Sequence, residues 1–270
     1  MLQRKIKLGI LLPTRGILIG DEKPQNADLI FDMAQIVEAA GLDSVWVGDS
    51  LTAKPRMEPI VTLGAIAART NRVRLGTAVL LGALRHPISL AHAVGTLDLI
   101  SNGRAILALG VGGAFNDDQR KEWESVGVQP NQRAGRLEEL VQILRNLLKG
   151  DLVTYEGKHF QIDSVTVQPN AANRNGVPIL LACHLKSGKE VQFERVARLG
   201  DGFISISETP ENFCKIAKKV EAQVQKTGLE FEKMESVFYI TININQEERI
   251  AQEEADQFLK RYYGINIWKD

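Results

Sequence analysis

The stretch LALGVGGAFNDD, residues 107–118, decides between the two folds that this sequence favours. Its apolar run ends in glycines at positions 110, 112 and 113. Such glycines can form the phosphate-binding turn of a doubly wound dinucleotide-binding fold. Alternatively, they end a barrel strand, where they either let a ligand approach the backbone closely or only allow a tight turn. The dinucleotide-binding turn follows the first strand of its fold. Here the first strand runs into LLPTRGILIG (residues 11–20), and the glycines follow the fourth strand, which favours the barrel.

Short apolar runs and amphipathic segments alternate along the chain. We expect the first strand near residues 5–12, the fourth near 104–110, and a clear helix in RAGRLEELVQILRNLLKG, residues 133–150. Seven strand-then-helix units can be recognised, and this alternation indicates parallel strands joined by helices. The prediction is an α/β fold, a TIM-like (β/α)8 barrel that lacks its last β/α unit, forming a single domain over residues 1–270.

Two segments interrupt this alternation, and we interpret both as insertions. Residues 112–130 are expected to form a long polar loop, and residues 151–177 contain short β-like runs around a turn. Insertions of this length at the rim of a scaffold often carry binding residues. Because the sequence ends soon after the seventh helix, we expect a gap, or a cover by the C-terminal segment, between strands one and seven. Such an edge predicts poor stability or association through exposed backbone groups.

Composition limits the class of partner. Lys plus Arg and Asp plus Glu are balanced at 33 each, which argues against nucleic acid. Two cysteines, Cys183 and Cys214, form neither a CxxC motif nor a disulfide framework, which fits a reducing compartment. The N-terminal apolar run is too short to cross a membrane. We therefore expect a cytoplasmic protein that associates with itself and acts on a small molecule.

The common catalytic motifs for nucleophilic, zinc-dependent and P-loop chemistry do not occur in the sequence. The histidines show no metal-ligand spacing, so no metal site is predicted. His184 directly follows the fifth strand and is the candidate catalytic residue, against the alternative of a structural histidine. Cys183 is interpreted as a small buried hydrophobic residue. Chemistry without these motifs is expected to come from a cofactor.

Four stretches carry a resemblance to a known family, in chain order. The sequence resembles the bacterial luciferase-like flavin-dependent oxidoreductases in AGLDSVWVGDSL (40–51), in the long block 75–113 that contains HP and TLDLISNGR, in 133–150 and in VQPNAANRNGVPILLA (167–182). The resemblance implies a (β/α)8 barrel. It also implies FMN, or alternatively the deazaflavin F420, at the carboxyl ends of the strands.

The resemblance also implies which residues bind the cofactor. It places a cis peptide bond at Ala78–Val79 under the flavin ring, and it places Asp49 beside the ring. Gly110 and Gly112 would adjoin the cofactor where the fourth strand ends. Arg133 would bind the phosphate, against the alternative of a solvated charge at a helix end.

A second cradle for the flavin phosphate is expected in SGKE, residues 187–190. Ser187 and Glu190 have the spacing of a capping box, and a helix N-terminus attracts anions. Ser187, Gly188 and Lys189 are therefore phosphate candidates, unless they only cap a helix.

The activity implied is that of a monooxygenase using reduced FMN and O2 on a small organic substrate, with a separate flavin reductase as a partner. F420-dependent hydride transfer is the alternative, and a non-catalytic flavin-binding protein is a second alternative.

Overall fold

The computed structural model describes residues 6–19, 26–206 and 208–264. The chain divides into two compact units, residues 1–181 and 182–270. The single-domain assignment for residues 1–270 stays a prediction.

The first unit contains a parallel sheet in which the first four strands and a later strand are neighbours in the order β1-β2-β3-β4-β7. The strands are β1 (Gly9–Leu11), β2 (Ser44–Val47), β3 (Arg74–Thr77), β4 (Ala105–Leu109), β5 (Val153–Glu156), β6 (Gln161–Val165) and β7 (Ile179–Ala182). The helices are α1 (Asp28–Ala39), α2 (Pro59–Ala67), α3 (Pro87–Ile100), α4 (Asp117–Glu124) and α5 (Arg133–Lys149). Strands β1 and β4 lie at the positions expected from the sequence.

The second unit continues the alternation of strand and helix. Its elements are α6 (Val191–Leu199), β8 (Gly202–Ile206), α7 (Pro210–Val224), β9 (Glu235–Tyr239) and α8 (Glu248–Tyr263). Strands β8 and β9 pair in parallel over their full length. In the described residues, seven strands thus run parallel to a neighbour, which confirms the predicted α/β class. The C-terminal residues 265–270, which were expected to cover the seam, lie outside the described residues, and the seam itself stays a prediction.

The two insertions are structured. Strands β5 and β6 form an antiparallel hairpin, which confirms the β-like runs in residues 151–177. The expected polar loop over residues 112–130 is wrong in part, because it contains helix α4. Asn116 caps this helix by accepting a hydrogen bond from the Gln119 backbone at 3.0 Å. The helix buries Glu122 and Trp123, and the Trp123 side chain is fully buried.

Trp46 on β2 shows how the strand interior is filled. Its indole lies across β3, where a Cβ on Gly76 would come within 2.2 Å of the ring. Its Nε1 donates to Ser44 Oγ at 2.9 Å, which satisfies the buried indole N–H. A glycine at position 76 is therefore required by the close approach of this ring.

Two polar side chains of the block TLDLISNGR, one buried and one half-buried, bond to the surrounding backbone. The Asp98 carboxylate accepts hydrogen bonds from the backbone of Ala105, at the start of β4, and of Ala172. The Arg104 guanidinium donates to five groups, the carbonyls of residues 67, 70, 73 and 101 and the Thr70 hydroxyl. Both side chains anchor the amino end of β4, at the end opposite to the glycines.

Candidate functional site

The candidate residues of the first unit follow three neighbouring strands at their carboxyl ends. Asp49 comes two residues after β2, Ala78 and Val79 follow β3, and Gly110 follows β4. Because β2, β3 and β4 are parallel neighbours, their carboxyl ends lie at one edge of the sheet. The fold therefore brings these sequence-predicted residues together.

Asp49 is held in a closed ion pair. Its carboxylate accepts hydrogen bonds from Arg85 Nη1 at 2.6 Å, from Arg85 Nη2 at 3.1 Å and from the Leu81 backbone at 2.9 Å. Its side chain is only 2% exposed. Burial lowers the pKa of Arg85, but Asp49 and then Glu58 more than offset this, so the pKa is raised overall. Asp49 therefore positions the segment after β3.

Arg85 and Glu58 are site residues that the sequence reasoning missed. Arg85 Nη2 reaches Glu58 Oε1 at 3.2 Å, and Glu58 also caps α2 through the Val61 backbone at 2.8 Å. Arg85 directly precedes the HP pair that opens α3. Arg85 lies in the block 75–113 that carries the family resemblance, but the sequence did not indicate that it pairs with Asp49.

The chain between β3 and α3 is bonded to strands on both sides. The Ala78–Val79 peptide bond is cis, as expected. Ala78 N donates to Val47 O at 2.7 Å, and Leu80 N donates to Ala108 O at 2.8 Å. Gly110 N donates back to Leu80 O at 3.0 Å. Residues 78 and 79 are half-buried, and these hydrogen bonds fix the stretch at the carboxyl ends of the strands.

Gly112 has a left-handed conformation with φ +75°. A Cβ at this position would meet Trp123 at 2.8 Å and Leu81 at 3.0 Å. The Gly112 carbonyl accepts a hydrogen bond from Arg133 Nε at 3.2 Å, and Arg133 Nη1 donates to the Pro130 carbonyl. Packing and backbone conformation thus account for Gly112, and Arg133 fixes the glycine segment. Phosphate binding by Arg133 stays a prediction.

The second unit holds the Ser187 segment, and the predicted capping box is wrong. Helix α6 begins at Val191 after Glu190, which makes no side-chain cap hydrogen bond. Ser187 Oγ instead donates to His184 O at 2.9 Å and accepts from Gln192 Nε2 at 2.5 Å. Because Ser187 is drawn into this network and Gly188 adopts φ +64°, the helix starts later than the spacing predicts.

His184 follows β7 and lies in a polar network. Its backbone N–H donates to Gln192 Oε1 at 2.8 Å, and its Nδ1 lies 3.4 Å from Ser205 Oγ. Burial lowers the pKa of His184, opposed by Glu208 and by the Ile206 backbone. This lowering of the pKa favours the neutral imidazole at pH 7.

Glu208 is a buried acid that the sequence reasoning missed, although it closely follows the apolar strand β8. It is 2% exposed, and its Oε1 accepts from the Leu185 backbone at 2.8 Å. Its Oε2 is buried without a hydrogen-bond partner among the described residues. Burial and then Glu208 raise the pKa of Cys183 to about 12. Cys183 is thus a buried thiol, as interpreted from the sequence.

Two further expectations concern metals and membranes. Within residues 6–19, 26–206 and 208–264, no group of three or more His, Cys, Asp or Glu side chains is arranged to hold a metal ion. None of the helices in that part of the chain has both the length and the apolar character needed for a membrane span.

The chain belongs to the family of luciferase-like monooxygenases, whose model matches residues 6–266. An F420-dependent glucose-6-phosphate dehydrogenase from Kineococcus radiotolerans is 35% identical over 185 residues, which are 65% of this chain and 51% of that protein. The chain spans about half to two thirds of the length of the curated relatives that it matches first.

Two solved structures show the fold. Monooxygenase RslO1 from Streptomyces bottropensis has a TM-score of 0.81 at 23% identity, over 96% of this chain and 78% of that chain. The oxygenating constituent of 3,6-diketocamphane monooxygenase from the CAM plasmid of Pseudomonas putida, in complex with FMN, has a TM-score of 0.77 at 15% identity, over 98% of this chain and 76% of that chain. The predicted TIM-like fold class is confirmed. Among these proteins, the dehydrogenase from Kineococcus radiotolerans is F420-dependent, and the diketocamphane monooxygenase structure contains FMN.

Proposed function

We propose that the protein is an oxidoreductase that binds a flavin-type cofactor at the carboxyl ends of β2, β3 and β4. With reduced FMN and O2, it would oxygenate a small organic substrate. The closed Asp49–Arg85 pair is the observation that carries this proposal. The buried Asp49 carboxylate is occupied by three donors, so it fixes backbone at this edge and is not available as a base. Such an edge suits chemistry that a cofactor supplies.

The residues present fit such a cofactor. The half-buried backbone of residues 78–79 offers a face for a flat ring, and Gly110 adjoins it through Leu80. In the second unit, a Cβ on Gly188 would meet nothing within 4 Å, and Ser187, Gly188 and Lys189 stay separate phosphate candidates there. Arg133 is the phosphate candidate of the first unit. When bound, FMN would supply the electrons that activate O2.

The chain's own residues have separate tasks in this proposal. Asp49 and Arg85 hold the segment after β3 in place, and Arg133 holds the glycine segment after β4. His184, with a neutral imidazole, would give or take a proton at one of its ring nitrogens. Apolar walls from β2 and β4 exclude water from the sheet beneath the site.

F420-dependent hydride transfer is the second candidate. It is favoured by the F420-dependent relative at 35% identity. In that reaction the substrate alcohol loses a hydride and a proton, and His184 would accept the proton.

Anaerobic titration with FMN and with F420, followed by cofactor fluorescence, tests the proposal. We expect micromolar affinity for one of the two cofactors. Consumption of O2 with reduced FMN and a substrate would support the monooxygenase, and anaerobic reduction of F420 by an alcohol would support hydride transfer. Binding without turnover across a panel of substrates would favour a non-catalytic flavin-binding protein. Binding of neither cofactor would overturn the proposal.

A further inference from the structure

A half-buried imidazole and a buried carboxylate lie close together in the second unit. Cys183 N donates to Ile204 O at 3.1 Å, so the chain that follows β7 lies against β8. His184 comes next along the chain, and Glu208 lies two residues after the end of β8. Leu185 N donates to Glu208 Oε1 at 2.8 Å, which joins the two segments. We call these two side chains the His184–Glu208 pair.

The backbone that carries His184 is held on both sides of the residue. His184 N donates to Gln192 Oε1 at 2.8 Å, and His184 O accepts from Gln192 Nε2 at 2.8 Å and from Ser187 Oγ at 2.9 Å. The next peptide group is held by the bond from Leu185 N to Glu208. Because both neighbouring peptide groups are bonded, the direction in which the imidazole leaves the backbone is fixed before any ligand binds.

The imidazole ring of His184 is oriented by the end of β8. Burial lowers its pKa, while Glu208 and then a hydrogen bond to the Ile206 backbone oppose this lowering. A bond that raises the pKa of an imidazole favours its protonated form, so a ring N–H donates to the Ile206 carbonyl. In the neutral ring that nitrogen keeps its proton, and the other nitrogen carries the lone pair. The contact therefore selects one tautomer, with one nitrogen able to accept a proton.

The burial of Glu208 is not explained by its bond to the backbone. The residue is 2% exposed, and its Oε2 is buried with no hydrogen-bond partner among the described residues. Such an oxygen destabilises the folded chain, and an uncharged amide oxygen would accept from Leu185 N equally well. The charge of Glu208 has a different effect, because it raises the pKa of His184 against the effect of burial.

The other groups around the imidazole and its backbone are uncharged in the described part of the chain. They are the Ser187 and Ser205 hydroxyls, the Gln192 amide and the Ile206 carbonyl. Burial, and then Glu208, raise the pKa of the neighbouring Cys183 thiol to about 12, so this thiol is neutral at pH 7. Among the described residues, Glu208 is thus the charged group that acts on His184.

We propose that Glu208 is a positioning residue for His184: one oxygen holds the adjoining backbone, and the charge stabilises the imidazolium that forms when His184 takes a proton. In hydride transfer, the substrate O–H bond breaks and its proton goes to the free ring nitrogen. The electron pair of that bond forms the carbonyl as the hydride leaves carbon for the cofactor. That the proton comes from a substrate rests on the proposed function, whereas the action of Glu208 on the imidazole does not.

Side-chain 15N NMR of the intact chain tests this role without a cofactor, with the His184 signals assigned by their absence in His184→Gln. In the wild type at pH 7.5, we expect one protonated ring nitrogen and one lone-pair nitrogen. Glu208→Gln keeps an acceptor for Leu185 N and removes the charge, so the tautomer should persist while the pKa of His184 falls. Glu232→Gln, which alters an exposed acid of the same unit, is the matched control and should leave both unchanged.

Two results of the NMR experiment would overturn the positioning role. The first is an equal mixture of the two tautomers in the wild type, which needs no variant. The second is a pKa of His184 that Glu208→Gln changes no more than Glu232→Gln does.

Kinetics separate this role from the proposed function. In the cofactor assay that gives turnover, Glu208→Gln should lower kcat roughly tenfold and leave KM within about twofold, because the carboxylate acts on His184 and not on the substrate. His184→Gln should lower kcat at least as much, and the double variant no further. Additive losses in the double variant would contradict action through His184. A wild type without turnover would overturn the proposed function, and the NMR result would still decide whether Glu208 acts on the imidazole.

Discussion

Two buried carboxylates follow strands of this chain, and their surroundings differ. Asp49, after β2, has both oxygens engaged by Arg85 and the Leu81 backbone. Glu208, after β8, engages one oxygen, and the other is buried without a partner in the part of the chain that the structure describes. We call these surroundings the closed region and the open region. The closed region fixes the backbone after β3. In the open region Glu208 opposes the lowering of the His184 pKa, and proton transfer by His184 stays a prediction.

The largest effect is expected when the closed pair is broken. Arg85→Ala leaves the Asp49 carboxylate buried and unpaired, which should lower the free energy of unfolding by about 3–5 kcal/mol. Urea unfolding at pH 7 measures this. Arg249→Ala is the control, because its pair with Glu253 is exposed and should contribute less than about 1 kcal/mol. Similar losses in both variants would show that the pair at Asp49 is not structurally closed.

A pair of glycines compares the two regions directly. Gly112 and Gly188 both have a positive φ, but a Cβ on Gly112 meets Trp123 and Leu81, whereas a Cβ on Gly188 meets nothing within 4 Å. Gly188→Ala should cost about 1–2 kcal/mol for the backbone conformation alone. Gly112→Ala should cost about 1–3 kcal/mol more, because of overpacking. Thermal and urea unfolding of both variants measure these losses. Equal losses of stability in the two variants would show that the two glycines do not differ in packing.

A smaller effect is expected on the affinity for FMN when a candidate phosphate-binding cation of either region is removed. Arg133→Ala should weaken FMN binding roughly tenfold if its guanidinium makes a charge-assisted bond to the phosphate. Lys189→Ala makes the same test in the second unit. Fluorescence titration of both variants, with riboflavin as a ligand without phosphate, shows which cation matters. An unchanged FMN affinity for Arg133→Ala would leave this arginine with its hydrogen bonds to the carbonyls of residues 112 and 130 alone.

The elements of the fold were predictable because their signals are local. The alternation of apolar strands with amphipathic helices, and the late position of the glycines, is enough for the α/β barrel class. The position of Asp49 at a strand end followed in the same way. Helix α4 was missed because it buries only two residues, Glu122 and Trp123, within a polar segment.

The partners of the site residues were not predictable from local signals. Arg85 reaches Asp49 across 36 positions of sequence, and Glu208 reaches the Leu185 backbone across 23. The capping box at Ser187 failed for the same reason, since Gln192 and the His184 carbonyl compete for its hydroxyl. Side chains that choose between local and tertiary partners need the folded chain before their roles can be assigned.

The smallest expected effect is the pH dependence of the open region. Burial, opposed by Glu208 and the Ile206 backbone, lowers the pKa of His184 in the folded protein below its ordinary value near 6.5. The unfolded chain therefore binds this proton more readily than the folded chain. By linkage, the contribution of His184 to the free energy of unfolding is fully present above about pH 6.5, and it is progressively lost as the pH falls below that value. Urea unfolding between pH 7.5 and 5, in the wild type and in His184→Gln, measures this contribution as the difference in slope. The wild type should lose more stability on acidification than the variant, because glutamine does not titrate.

The histidine C2 proton in NMR gives the same pKa directly, and Glu208→Gln should lower it further because the opposing negative charge is removed. If the two proteins have equal slopes, the imidazole does not resist protonation, and its assignment to proton transfer in the open region is wrong.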